Sequence, residues 1–318
     1  MKNKKTIMFV SALMIVVYHL WISVFPRTST AFQIEQFARF AFFVGVDLFF
    51  FISAYSQANR DTTNYGHFIW SRFKTIYIKY IIFAVFACLL QKWPVARLVK
   101  VICGIDLFER GGGSFLWFAP SIMIVYLLLP LYKKVDEKFK VGTPVLAVLL
   151  WCAIGFLITK FSSYNKIFIF YNRIPIILLG FYACKYKVFE QLKKHRAANL
   201  LLGFILLVGG AFLLHRIGYR PPLNKPFHEF FYVVGIPLIL GLAIVLDLIP
   251  GGKLVRLVGS CTFELYALQM IVGYSLTDFI YKKTQNILAT NILALLLIIV
   301  ISVLVSKLFA VTLLRKKA

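Results

Sequence analysis

The chain has 318 residues, of which 60% are hydrophobic and only 15% charged, and it carries a formal net charge of +24. A soluble domain averages about 25% charged residues, so a water-soluble fold is excluded, because polar surface could not cover this much apolar side chain whereas a bilayer solvates it. The positive charge raises a nucleic-acid partner only to set it aside: the basic residues are spread over many short connections, no basic helix with interleaved aromatics stands out, and membrane orientation plus attraction to anionic lipid head groups accounts for them.

A helix needs about 20 mostly apolar residues to cross roughly 30 Å of hydrocarbon. Runs of that kind lie at 7–25, 38–57, 73–91, 115–132, 143–159, 167–184, 198–215, 229–247, 257–281 and 287–311. The gaps are too short to hold an extramembrane domain. The expectation is therefore an all-α, polytopic bundle of about ten transmembrane helices, with residues 1–318 forming one membrane domain. The first run follows Lys2, Lys4 and Lys5 like a secretory signal, but Pro26 and Arg27 close it where a small-residue cleavage site would stand, so it reads as a retained helix. Cys88, Cys103, Cys152, Cys184 and Cys261 are scattered without metal or redox spacing, and no metal is expected.

With the N-terminus inside, the inner connections hold 20 Lys and Arg against 13 outside. That is the direction of the positive-inside rule, and it predicts an N-in, C-in multi-pass protein of the cell membrane, read as a bacterial plasma membrane. Two outer connections are longer than a turn. Lys92 to Ser114, with Trp93-Pro94 and Gly111-Gly112-Gly113, is expected to form a short interfacial helix ending in a flexible loop. Arg216 to Glu229 carries Pro221, Pro222 and Pro226, with His215 and His228 at its borders. Both read as walls of an entrance for a polar substrate. No internal repeat is visible, which leaves an inverted-repeat transporter unsupported.

An ionisable group inside the hydrocarbon is costly and by default faces the bundle interior. The set is His19, Asp47, Lys79, Arg173 and Glu264, with Gln269 as a neutral companion. At about 1.5 Å per residue, His19 falls roughly 18 Å from the inner start of its span, Asp47 roughly 14 Å from the outer start of the next, and Gln269 about 18 Å into the ninth. These three are expected near one plane. An imidazole ordinarily titrates near neutral pH and can act as general base, which makes His19 a candidate; the alternative is a structural histidine bonded to a carbonyl or to Ser23. Asp47 either orients it or is a packing hydrogen-bonder. Arg72 and Lys74 at the cytoplasmic mouth of the third span, with Lys79 deeper, read either as a phosphate-binding cluster or as snorkelling anchors. Arg173 needs a partner or a watery cavity. Thr262, Tyr266, Gln269 and Gly273 share one helix face, which serves packing or a site.

Several segments carry a resemblance in order along almost the whole chain. Met14 to His19 is an apolar run leading into a histidine. Gly45-Val46-Asp47-Leu48-Phe49-Phe50 is followed by Ser53 and Ala54. Ser71-Arg72-Phe73-Lys74, Leu116-Trp117-Phe118 through Tyr126 to Pro130, Arg173-Ile174-Pro175 to Gly180, and Gly259 through Tyr266 to Gln269 complete the set. Together they resemble membrane acyltransferase family 3, integral membrane enzymes that O-acylate sugars and surface polysaccharides. The resemblance implies an O-acetyltransferase-like enzyme. It implies an acyl-CoA donor, acetyl-CoA favoured, and as acceptor a hydroxyl of a cell-surface glycan or its lipid-linked precursor. It implies His19 and Asp47 as catalytic, Arg72, Lys74 and Lys79 as donor-binding, and Arg173, Tyr266 and Gln269 as substrate-binding. Polysaccharide-biosynthesis proteins would be its partners. The family commonly has an arginine eleven residues before the histidine, where this chain has Met8, and its basic run before the third span is thinner than usual. The alternatives are a non-enzymatic translocator or export partner for polysaccharide or lipid-linked sugar, and a transporter using His19 and Asp47 as a proton relay.

Overall fold

The structure, a computed structural model, describes residues 1–140, 142–160, 166–218 and 231–312. Lipid offers the backbone no hydrogen-bond partners, so a chain this apolar must satisfy its peptide groups within helices. Every regular element among the described residues is helical. In chain order the main ones are α1 (Lys4–Leu20), α2 (Thr30–Ala41), α3 (Val44–Ala58), α4 (Tyr65–Gln91), α5 (Val95–Ile102), α6 (Ile105–Arg110), α7 (Phe118–Phe139), α8 (Gly142–Lys160), α9 (Phe168–Lys185), α10 (Arg196–Ile217), α11 (Ile236–Leu248), α12 (262–284) and α13 (Ile287–Thr312). Among the described residues six helices are long and apolar enough to cross a membrane: Thr30–Ala58 as one bent span, α4, α7, α9, α10 and α13. Each of the ten apolar runs overlaps a helix, the remaining ones shorter or less apolar than these six.

The boundaries move in informative ways. The first helix ends at Leu20, short of the apolar run, because Trp21 turns extended (φ −66°, ψ 122°). The second begins earlier, with Ser29 capping it by accepting from the Phe32 amide. It then breaks at Phe42 and Phe43, where the amides of Phe43, Gly45 and Val46 bond to carbonyls three residues back. Residues 92–113 fold as α5, α6 and a helical turn over Gly111–Gly113, where a flexible loop was expected. There the Arg97 guanidinium lies 3.9 Å from the Trp93 ring centre, and Lys100 pairs with Glu109 at 2.7 Å. The proline-rich connection over Pro221, Pro222, Pro226 and His228, and the basic tail at 315–317, lie outside the described residues.

The chain divides into two compact units. The first comprises residues 1–49, 189–215 and 237–318. In it Lys5 backs onto Gly259 and Leu20 onto Gly273, so α1 and the first half of α12 run parallel. A parallel pair requires an even number of chain reversals between its members. Asn291, near the start of α13, bonds to Ile22 just past the end of α1, so those two run antiparallel. The carboxylate of Asp247, 3% exposed at the end of α11, accepts from the amides of Lys2 and Asn3 at 2.6 and 2.7 Å and so anchors the start of α1.

α10 and α11 pack antiparallel through glycines. A Cβ at Gly203 would lie 2.8 Å from Val245 Cγ2, one at Gly210 2.7 Å from Leu238 Cα, and one at Gly241 2.5 Å from the Leu207 nitrogen. In lipid no hydrophobic force holds helices together, and close backbone approach at small residues supplies the van der Waals contact instead. Gly210→Val is expected to lower stability by about 1–3 kcal/mol, the usual cost of overpacking, measured as the shift in mixed-micelle unfolding.

The second unit comprises residues 50–188 and 216–236. Its interior is aromatic. Phe50 meets Phe118 edge-on at 4.8 Å, and the Tyr80 and Tyr77 hydroxyls donate to the Val101 and Ile102 carbonyls at 2.8 and 2.7 Å. A second cluster joins Trp151, Phe168 and Tyr171. Gly180 of α9 lies against the backbone of Phe51.

Candidate functional site

His19 is the penultimate residue of α1, half-buried, with its ring edge-on to Tyr18 at 5.1 Å. Ending a helix within an apolar layer releases peptide groups that need new partners. The strap that follows, Trp21 to Val24, finds them on two helices. Asn291 of α13, 4% exposed, accepts from the Ile22 amide at 2.9 Å and donates to its carbonyl at 2.7 Å. The Glu35 carboxylate of α2 accepts from the Trp21 indole at 2.7 Å and the Val24 amide at 3.0 Å. One turn on, Arg39 donates to the Trp21 carbonyl at 3.1 Å, and Gln36 donates to the Ser23 hydroxyl. The polar residues of α2 thus clamp Trp21, Ser23 and Val24, just past His19 and Leu20.

Within the same unit His19 and this strap line a cavity of about 990 Å³, with Gln36, Arg39, Thr277 and Tyr281 among its other walls. Asp278 also faces it and is paired with Lys282 at 2.7 Å. The cavity offers an imidazole that can hold or release a proton. It also offers hydrogen-bonding groups of both kinds, and aromatic faces from Trp21, Phe25 and Tyr274. That combination of polar groups and stacking planes suits a polyhydroxylated ligand better than an apolar one.

Asp47 lies in the first turn of α3, fully buried. A carboxylate there sits at the positive end of the helix dipole. Gly45 is the residue of this turn that packs against α1, at Ser11, Met14 and Ile15. Asp47 lies two residues on in the same buried turn. Gln269 is 1% exposed, and neither end of its amide has a hydrogen-bond partner among the described residues. It opens a wide, π-helical turn, 269–273, one turn before the glycine that seats Leu20. Tyr266, 7% exposed, precedes it, and Glu264 is buried in the same helix. His19 and the strap line the cavity, and Asp47 and Gln269 are buried in the same unit.

In the second unit, Arg72, Lys74 and Lys79 all lie along α4. Arg72 is half-buried and donates to the Ser71 hydroxyl from Nε and Nη2 at 3.2 and 2.6 Å. Lys74 is exposed with its ammonium 5.0 Å from the Trp70 ring centre, and Lys79 is half-buried further along. Lys74 sits in a π-helical turn, 73–77, as Gln269 does, and such bulges occur frequently at functional sites. Arg173, 2% exposed, has its guanidinium 4.0 Å from the Tyr232 ring and 5.0 Å from Trp117, and it donates to the Ile169 carbonyl. Aromatic faces therefore engage its charge.

Sequence reasoning missed Glu35, Gln36, Arg39 and Asn291. The first three fell at the edge of the run at 38–57 and read as loop. Asn291 was legible as a buried amide inside an apolar span, since polar residues there are functional by default. Among the described residues no group of three or more His, Cys, Asp and Glu is arranged to hold a metal ion.

No curated relative and no solved structure matches the chain. A family model described as an acyltransferase domain, family 3, matches residues 9–311, which takes in the helix that ends at His19, the Gly45–Asp47 turn, the basic third span and the late helix with Gln269. An all-α membrane protein matched over nearly its whole length, the chain belongs to acyltransferase family 3.

Proposed function

We propose that the protein is an O-acyltransferase that moves an acyl group, acetyl in the favoured case, from cytoplasmic acyl-CoA to a hydroxyl of a cell-surface glycan or its lipid-linked precursor. The observation that carries this reading is His19 held by a bonded strap in the wall of a large polar and aromatic cavity. In the proposed reaction the imidazole takes the acceptor's hydroxyl proton as that oxygen attacks the thioester carbonyl. The tetrahedral intermediate then expels the coenzyme thiolate, the C–S bond breaks, and the proton on the imidazolium goes to the departing sulfur. Gln269, whose buried amide has no hydrogen-bond partner among the described residues, is assigned to donate to the intermediate's oxyanion. Asp47 acts electrostatically, its buried negative charge favouring the imidazolium, and Tyr266 shapes the wall behind Gln269.

The topology proposed with it is ten crossings, N-in and C-in, in a bacterial plasma membrane. The parallel run of α1 and α12 supports the even number of reversals this topology requires. Arg72 and Lys79 then face the donor's phosphates from the cytoplasmic side, with Lys74 at the rim. Arg173 serves the acceptor side through the aromatic cage it organises. The glycan would be supplied by polysaccharide-biosynthesis proteins, with membrane lipids around the bundle.

One observation favours a second reading. Met8, half-buried in α1 where the family commonly has arginine, removes a cation eleven residues before His19. A non-enzymatic translocator of polysaccharide or lipid-linked sugar would not need it. Calorimetry on the purified protein separates the two readings. The acyltransferase binds acetyl-CoA saturably, whereas a protein that shows no heat with acetyl-CoA yet carries labelled lipid-linked sugar across a vesicle membrane is the translocator.

A further inference from the structure

We infer that the cleft between the C-terminal ends of α7 and α9 is a nucleotide-binding site, with Lys133, Lys140 and Lys185 for phosphate and the Tyr186 ring for a planar base. The cleft has a volume of about 580 Å³, inside the range of about 300–1,000 Å³ typical of small-molecule sites. Its lining also includes Asp136, Glu137, Ala58 and Asn59.

Two of the lysines are fixed at the root. Lys185 Nζ lies 2.5 Å from Asp136 Oδ2, and Lys133 Nζ donates to the Arg60 carbonyl at 2.6 Å. An ammonium has three N–H donors, so each keeps donors for a ligand. Asp136 is 3% exposed, and its other oxygen accepts from the Tyr182 hydroxyl at 2.8 Å, which lies 2.8 Å from the Tyr132 hydroxyl. The buried carboxylate is thus committed to holding Lys185 in the wall rather than to meeting a ligand. Ordering these cations before binding lowers the cost of capturing a polyanion.

Tyr186 is 52% exposed, lines the cleft, and stacks on Tyr182 at 5.8 Å and 17°. Lys185 Nζ lies 5.8 Å from its ring centre, and a ring backed by a second ring and half exposed is a platform for a base. Glu137 on the same rim decides between ligands: it repels a free phosphate ion but accepts a hydrogen bond from a ribose hydroxyl or a base amino group. The ligand that satisfies the whole lining therefore carries phosphate, sugar and base together. In the orientation proposed above this cleft opens to the cytoplasm. Resting on the acyl-CoA reading only for its natural ligand, the site would take the nucleotide end of the coenzyme.

The test titrates the full chain, in phosphatidylcholine nanodiscs, with 3′,5′-ADP, coenzyme A and inorganic phosphate. Saturable binding of the first two is expected, with phosphate at least about tenfold weaker and a further loss of at least about tenfold in the K133Q/K140Q variant. Tyr186→Ala should weaken binding several-fold and Tyr186→Phe should not. Undiminished affinity in K133Q/K140Q, or no saturable nucleotide binding by the unaltered chain, overturns the site. So does loss of nucleotide binding when phosphatidylglycerol replaces part of the lipid, which would make the cleft a head-group site. Should K133Q/K140Q not fold, the Tyr186 pair decides alone. Nucleotide binding without acyl transfer would sink the acyltransferase reading and leave the site. Acyl transfer by K133Q/K140Q with an unchanged KM for the donor would do the reverse.

Discussion

Replacing His19 with alanine is expected to lower kcat for acyl transfer about 10²–10⁴-fold, the range a positioned general base contributes, while the protein still folds and inserts. The expectation of intact folding comes from where the side chain sits. His19 is half-buried on a cavity wall, with its ring edge-on to its own neighbour Tyr18. The helix around it is seated by Leu20 on Gly273, and the chain after it by Asn291 and Glu35. Removing the imidazole therefore deletes chemistry without deleting a packing anchor. The readout is twofold: O-acyl content of the host's surface glycans by NMR, and single-turnover rates on purified protein. Unchanged O-acylation with a folded variant would remove His19 from the mechanism.

The second large effect is expected one step from the chemistry. Glu35→Ala leaves the Trp21 indole and the Val24 amide without their acceptor. Each bond to a charged group contributes about 1.5–3 kcal/mol, and the strap they hold begins two residues after His19. A misplacement of about 1 Å costs on the order of 10²-fold in rate, so Glu35→Ala should cut kcat by about that factor with KM little changed. Glu35→Gln keeps an acceptor oxygen and should recover most of the loss. Asn291→Ala acts on the same strap from α13, so its effect and that of Glu35→Ala should fall short of additive in the double variant, as residues sharing one element do. Equal losses in kcat and KM, or no rescue by glutamine, would mark Glu35 as a general stability residue.

What the residues alone made legible follows from the physics each signal depends on. Runs of apolar side chain report a solvent, so all-α architecture and helix positions could be read wherever lipid is the neighbour, as in Ile287–Thr312. Helix ends inside the apolar layer could not, because they depend on distant partners. Leu20 is followed by apolar and aromatic residues that would prolong a helix, and the chain departs there because Asn291, at a separation of 269, bonds to Ile22. The same holds for the basic cluster. Arg72, Lys74 and Lys79 are close in sequence, but Lys74 turns to the Trp70 ring, a choice of rotamer and bulge that spacing does not encode.

Depth arithmetic treated each span as a straight rod from its first apolar residue. The break at Phe42 and Phe43 restarts the helix, so Asp47 belongs to a first turn rather than a mid-helix position. Gln269 was legible as a buried polar group. Its amide's lack of a partner among the described residues was not, since that requires the positions of every neighbour. Arg173 was legible as needing a partner or a watery cavity, and the rings of Tyr232 and Trp117 face its guanidinium.

The most direct measurement reconstitutes the protein in vesicles, supplies acetyl-CoA labelled in the acetyl carbonyl on the side of the N-terminus, and offers the host's glycan or lipid-linked precursor on the other. The account predicts label on a glycan hydroxyl, formed at a rate that falls at least about 10²-fold with His19→Ala. Label that stays on the coenzyme while glycan crosses the membrane, at the same rate in both proteins, would contradict it.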